Sequence, residues 1–165
     1  MGLTSLGIFH TVIGVIAISA AFVSYVRYGK INLDKKSGLV YFYGTVITSL
    51  TALGVSKHGG LNPGHFVALL IVLLVTGAFV LHKTIPGYKR ARYFENFAMA
   101  LSLFLSMIPT IVETLTRVPV GHPLATSIDD PLIQKSLAAA ALLFVVGSIY
   151  QIIRQWRAHV KYRRI

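Results

Sequence analysis

The sequence predicts an all-α integral membrane bundle, and three observations carry that prediction. Five apolar segments lie near residues 5–26, 38–56, 64–82, 97–115 and 133–153. Each approaches the ~20 residues needed to span ~30 Å of hydrocarbon at ~1.5 Å per residue. A mean hydropathy of +0.69, with 55% hydrophobic residues, is far too apolar for a soluble chain of 165 residues. The third observation is the placement of positive charge. Arg27, Lys30, Lys35 and Lys36 follow the first segment, and Lys83, Lys89, Arg90 and Arg92 follow the third. Arg154, Arg157, Lys161, Arg163 and Arg164 follow the fifth, so thirteen of the sixteen Lys and Arg residues fall after odd-numbered segments. Only Lys57, Arg117 and Lys135 remain for the other side. Short loops rich in Lys and Arg stay in the cytoplasm. The expectation is five spans, N-terminus out and C-terminus in, forming a single polytopic domain over 1–165.

Composition excludes several function classes. The net charge of +11 sits on short loops beside spans, where anionic lipid headgroups are partner enough and nucleic acid is not called for. With no cysteine in the chain, disulfides, thiolate metal sites, iron–sulfur clusters and cysteine nucleophiles are ruled out. The first segment lacks a basic n-region and carries its positive flank after it, which reads as a retained N-out anchor rather than a cleaved signal. Tight loops and positive-inside charge point to a bacterial inner membrane.

Span 1 places His10, Gly14, Ala17, Ala21 and Ser24 on one helical face. Small residues there allow close helix packing in lipid, or room for a flat cofactor beneath His10. Span 2 carries Tyr41, Thr45, Thr48, Ser49 and Thr51. Such a density of hydroxyls suggests an interior helix, serving as interhelical glue or as a substrate path. The turn between spans 2 and 3 holds Gly59-Gly60 and Pro63-Gly64, bracketed by His58 and His65; Asn62-Pro63 is suited to starting span 3. Span 3 ends at His82, roughly 25 Å from His65 along the helix, so these two cannot serve one site.

The connection from Lys83 to Asn96 is basic and aromatic, with Tyr88 and Tyr93 as interface anchors. Span 4 carries Ser102, Ser106, Pro109 and Glu113 as one polar stripe, with a kink expected at Pro109. Arg117 sits at i+4 from Glu113, within ion-pair reach. A buried pair there would serve proton transfer, an anion or headgroup site, or simply seat the next loop. That loop, 117–134, is the longest connection, and long ordered loops tend to be functional. Asp129 and Asp130 before Pro131 read as a helix cap, with metal ligation second. Span 5 brings a small-residue run, Ala138–Ala141, and a basic, aromatic tail containing His159.

The constellation that could carry chemistry lies on the outer side: His10, His58, His65, His122 and Glu113. Ionisable residues within a membrane are costly and usually functional. Imidazole suits Zn, Cu, Fe and haem iron, and without cysteine only a histidine–carboxylate site is available. In one version His10 and His65 are axial ligands of a haem b. In another, His58, His65, His122 and Glu113 hold a Zn, Cu or Fe ion nearer the surface. The expected function is therefore an inner-membrane metal- or haem-binding protein with a periplasmic site; a redox role would follow from haem or copper but not from zinc. Two alternatives stand beside it: a non-enzymatic accessory or assembly subunit that binds a membrane-protein partner or a second copy, and a small transporter or oligomeric channel. No catalytic residue is assigned.

Four segments carry a resemblance: FHTVIGV (9–15), YFYGTVITSLTAL (41–53), KHGGLNPGHFVAL (57–69) and ETLTRVPVGHPL (113–124). Through them most of the chain resembles a family of small bacterial inner-membrane proteins of unknown function. The resemblance implies a compact polytopic bundle, with the histidine turn and the ETLTR segment as its marked features, and it implies no activity. Four-helix membrane b-type cytochromes are similar only in having histidines near span ends. This chain lacks their second histidine pair, since His82 alone is suitably placed at the basic end, so a two-haem wire is not expected.

Overall fold

A computed structural model describes residues 4–54 and 62–162, the last four as backbone alone. The described residues form five α-helices and no strand. These are α1 (Ser5–Tyr28), α2 (Lys36–Ala52), α3 (Pro63–Thr84), α4 (Lys89–Arg117) and α5 (Pro131–Tyr162). Four of them, α1, α3, α4 and α5, are long and apolar enough to cross a membrane. The 17 residues of α2 reach only about 25 Å at ~1.5 Å per residue, short of ~30 Å of hydrocarbon.

Helix ends follow from local chemistry. Thr4 caps α1, its hydroxyl accepting from Gly7 N–H. Asn62 caps α3 through its side chain, with Pro63 at the first helical position, where proline's missing donor and fixed φ suit the helix. Asp130 caps α5, its carboxylate accepting from Leu132 N–H at 2.9 Å. Two helices outrun their apolar segments. α4 begins at Lys89 rather than near 97, because Lys89–Asn96 are helix-compatible residues, and the charges of Lys89, Arg90, Arg92 and Glu95 hide them from a hydropathy reading. α5 continues to Tyr162 for the same reason. α4 runs unbroken through Pro109.

The chain divides into two compact units, Met1–Ser102 and Leu103–Ile165. In the first, α1 and α2 are antiparallel and very close. His10 faces Thr51, Gly14 faces Thr48 and Ala17 faces Gly44. A Cβ on Gly44 would lie 2.9 Å from that of Ala17, closer than carbon atoms pack, so only glycine permits this approach. Ala17, Ala21 and Ser24 are buried; the small face of α1 is used for packing, as close helix association in lipid favours. Phe42 of α2 stacks on Phe79 of α3 with ring centroids 4.3 Å apart. Tyr41 of α2 meets Ser102 of α4 at 2.8 Å, both fully buried.

In the second unit Phe104 of α4 stacks on Phe144 of α5, with centroids 5.1 Å apart. The 118–130 connection contains a cis Val118–Pro119 bond. It is tied down by Ala125 N–H donating to Leu115 O and Gln134 Nε2 donating to Ile128 O. Leu142, Leu143, Val145, Val146, Ile149, Ile152 and Ile153 of α5 are exposed, an apolar surface that suits lipid rather than water.

Candidate functional site

The most concentrated polar chemistry among the described residues is at the basic-loop end of the first unit. It is centred on His82, a residue that is 8% exposed. Its Nε2 lies 3.2 Å from Asp34 Oδ1 and its Nδ1 lies 3.2 Å from Glu95 Oε1. The Asp34 side chain is 57% exposed and that of Glu95 3%. A single imidazole thus joins a water-accessible carboxylate to a buried one.

Three elements build this arrangement. The first is the loop between α1 and α2. Ser24 Oγ donates to Lys30 O at 3.0 Å and accepts from Asn32 N–H at 2.9 Å, so one buried hydroxyl closes the loop onto α1. Ile31 and Leu33 insert into the core, 1% and 2% exposed. Alternation between those two apolar anchors and the polar residues beside them leaves Asp34 at the rim. Asn32 Oδ1 accepts from Asp34 N–H at 3.1 Å, a local turn that fixes the aspartate's backbone. Gly38, at the start of α2, lies directly against the Asn32 carbonyl, where a Cβ would collide. The second element is the last turn of α3, which presents His82. The third is the first part of α4, returned antiparallel by a tight turn in which Arg92 Nε donates to Pro86 O at 2.8 Å. On α4, Ala91, Glu95, Ala98, Met99 and Ser102 are all buried and share one helical face, which carries Glu95 inward.

The electrostatics explain why the histidine is there. A lone carboxylate taken from water into apolar surroundings is strongly disfavoured unless paired, and His82 is that pair. Each of its two hydrogen bonds needs one proton. With both carboxylates ionised the ring carries both. With Glu95 protonated, its O–H donates to Nδ1 and the ring keeps only the Nε2 proton. The two states contain the same number of protons and differ by one hop between Nδ1 and Glu95; a matching hop from a protonated Asp34 to Nε2 supplies the ring, so the two together can pass a proton from Asp34 to Glu95. The two carboxylates take opposite sides of the ring and do not converge on a point where an ion could sit.

The outer-side residues predicted from sequence are placed as follows. His10 Nδ1 lies 3.1 Å from Thr51 Oγ1. Thr51 has one hydroxyl proton, and its oxygen donates to the Ile47 and Thr48 carbonyls at 2.9 Å. His10 must therefore donate from Nδ1, which leaves the lone pair on Nε2. His65 is buried and completes a capping box. Its backbone N–H donates to Asn62 Oδ1 and its Nδ1 accepts from Asn62 N–H, both at 3.2 Å. Its proton is therefore on Nε2, the opposite tautomer, and to ligate through Nε2 it would have to give up the cap. His58 lies outside the described residues. Glu113 and His122 belong to the second unit and are exposed. Glu113 pairs with Arg117 one turn on, the two side chains 54% and 43% exposed. The expected burial of that pair does not hold, and exposed pairs of this kind contribute about 0.3–0.5 kcal/mol. Among the described residues no group of three or more His, Cys, Asp or Glu is arranged to hold a metal ion.

Sequence reasoning missed Asp34 and Glu95, which it left in basic loops. For Glu95 a signal was present: continuing the period of Ala98, Met99 and Ser102 backward puts position 95 on the same face. For Asp34 none was, because its position depends on the fold of the loop.

Comparison of the chain with protein-family models, with curated proteins and with solved structures finds no match.

Proposed function

We propose that this is a multi-pass inner-membrane protein whose working site is a proton relay, Asp34–His82–Glu95, at the cytoplasmic end of its first unit. The observation that carries the reading is the buried imidazole bonded on both nitrogens to carboxylates of opposite exposure. In this reading the chain crosses five times, N-terminus out and C-terminus in, with α2 spanning as a short helix. The distribution of Lys and Arg supports that orientation, and the four long apolar helices support a membrane location. The relay draws a proton at Asp34 and delivers it to Glu95, the kind of step used in proton-coupled transport and in proton supply to a redox partner.

The test is hydrogen–deuterium exchange at the Glu95 carboxyl, followed by infrared spectroscopy of detergent-purified protein across a pH titration. A carboxyl band that disappears in Glu95→Gln, and that exchanges more slowly in His82→Gln and Asp34→Asn, supports the relay. Exchange indifferent to both variants would show that His82 only neutralises Glu95.

A second reading is favoured by one observation, the hydrogen bond of His10 Nδ1 to Thr51, which leaves Nε2 to serve as a ligand. A ligating histidine usually donates its other ring proton to a neighbouring group, as His10 does to Thr51. In this reading His10 provides a haem or metal ligand at the periplasmic end, in a redox protein. A Soret band that shifts on reduction and is lost in His10→Ala supports it; a colourless protein with no bound Zn, Cu or Fe removes it.

A further inference from the structure

We propose that the first unit carries a proton path through the membrane: from Glu95, by way of Tyr41 and Ser102, along Thr45 and Ser49 of α2, to His10. This rests on the relay reading and extends it from a site at one end to a route.

The argument begins with α2. Tyr41, Thr45 and Ser49, at i, i+4 and i+8, lie along one side of the helix, and they are 0%, 4% and 6% exposed. Three buried hydroxyls in line are costly in an apolar interior unless hydrogen-bonded. The line covers about 12 Å at ~1.5 Å per residue.

At its cytoplasmic end the line is joined to α4. Ser102 Oγ donates to Met99 O at 2.8 Å, so in the Tyr41–Ser102 bond the phenol is the donor. Ser102 is seven residues beyond Glu95 on the same buried face, ~10 Å along the axis. Between them Asn96, 4% exposed, holds its Oδ1 buried with no protein partner. At the outer end Thr48 Oγ1 is likewise buried without one. One helical turn further lies Thr51, which receives the proton of His10 Nδ1. These two orphaned oxygens, one between Glu95 and Ser102 in sequence and one next to Ser49 in sequence, are sites for bridging waters, which typically make about three hydrogen bonds each to such groups; waters would also join Tyr41, Thr45 and Ser49 along α2.

The proton balance is that of a hydrogen-bonded chain. With Tyr41 donating back to Ser102 and His10 back to Thr51, the line stands as it would after a proton has passed outward. The hydroxyls, the His10 ring and the waters first turn to donate outward; then one proton enters at Asp34, each group hands its own proton to the next, and one leaves through the outer end. No oxidant or reductant is involved; the driving force is the membrane potential or a pH difference. Tyr41 and Ser102 hand the proton from α4 to α2, and Glu95 is the group that gives it up.

The experiment is proton flux into phosphatidylethanolamine–phosphatidylglycerol vesicles containing the full chain, driven by a potassium diffusion potential with valinomycin and read by an internal pH dye. The expected result is flux well above protein-free vesicles, lowered about a hundredfold by Glu95→Gln, the scale of one positioned proton-transfer group. Thr45→Val and Ser49→Ala, which keep shape and remove a hydroxyl, should also lower it while the protein remains monodisperse. Wild-type flux equal to that of empty vesicles overturns the path and needs no variant to fold. Flux that survives both hydroxyl removals overturns the route along α2. In either case the relay is judged separately by infrared exchange at Glu95. If that exchange ignores His82 while flux depends on Thr45, the relay fails and the route through α2 stands.

Discussion

Ser24 in α1 and Asn32 in the following loop are bound to each other, the Asn32 N–H donating to the Ser24 hydroxyl at 2.9 Å. That bond decides where Asp34 sits, two residues on. Ser24→Ala removes it together with the bond to Lys30 O. The expected loss is about 1–3 kcal/mol, the usual cost of leaving buried polar groups unsatisfied. Backbone hydrogen exchange should rise at Asn32–Lys35 before it rises elsewhere in the first unit. Unchanged exchange there would show that Ile31 and Leu33 alone hold the loop.

Gly38→Ala should be worse. Its Cβ would meet the backbone carbonyl of Asn32, which cannot swing aside as a side chain could. The loop must move, at about 1–3 kcal/mol or more by analogy with overpacked cores. His82 then loses Asp34 while keeping Glu95. Denaturant titration in mixed micelles, with ring-nitrogen NMR of His82, reads both effects.

The two ends of the buried pair predict an asymmetry. His82→Ala leaves the Glu95 carboxylate buried without its partner, at a cost of about 3–5 kcal/mol. Glu95→Gln removes the charge and keeps a hydrogen-bonding oxygen, so its cost should be clearly smaller. The double variant should recover much of the loss seen in His82→Ala. Additive losses in that cycle would show that the two residues are not coupled.

Helix approach is tested at Gly44. Gly44→Ala forces α2 away from Ala17 and should cost about 1–3 kcal/mol. Gly77→Ala in α3, where a Cβ meets nothing within 4 Å, should be neutral or stabilise by up to ~1 kcal/mol. Equal effects at the two positions would mean that helix propensity rather than close packing governs both.

The tautomers of His10 and His65 should be opposite: the proton on Nδ1 in His10 and on Nε2 in His65. Nitrogen-15 NMR of selectively labelled protein distinguishes them. Thr51→Val should abolish the preference in His10, and Asn62→Ala should weaken that in His65 and lower stability by about 1 kcal/mol through the lost cap. Identical tautomers at the two positions would contradict the hydrogen-bond assignment.

Much of this protein was determined locally. Apolar runs set the number of helices, four of which are long and apolar enough to cross a membrane, where an unbroken helix is needed to satisfy the backbone. Asn62-Pro63 and Asp130-Pro131 marked helix starts because capping is a contact over two or three residues. The small face of α1 foretold close packing, though not which neighbour would fill it. What only the tertiary structure decided is the pairing of polar groups distant in sequence. His82 finds Asp34 through a loop closed by Ser24, and Glu95 through a turn that reverses α4. Tyr41 finds Ser102, 61 positions away, by the packing of α2 beside α4. His10 and His65 are conspicuous in the sequence, yet each is held by a partner of a different kind: His10 by Thr51 on the neighbouring helix, 41 positions away, and His65 by its own helix cap. A hydrogen bond requires atoms placed to within a few tenths of an ångström, and helical periodicity fixes only the face of a helix, so the site depended on how the faces came together.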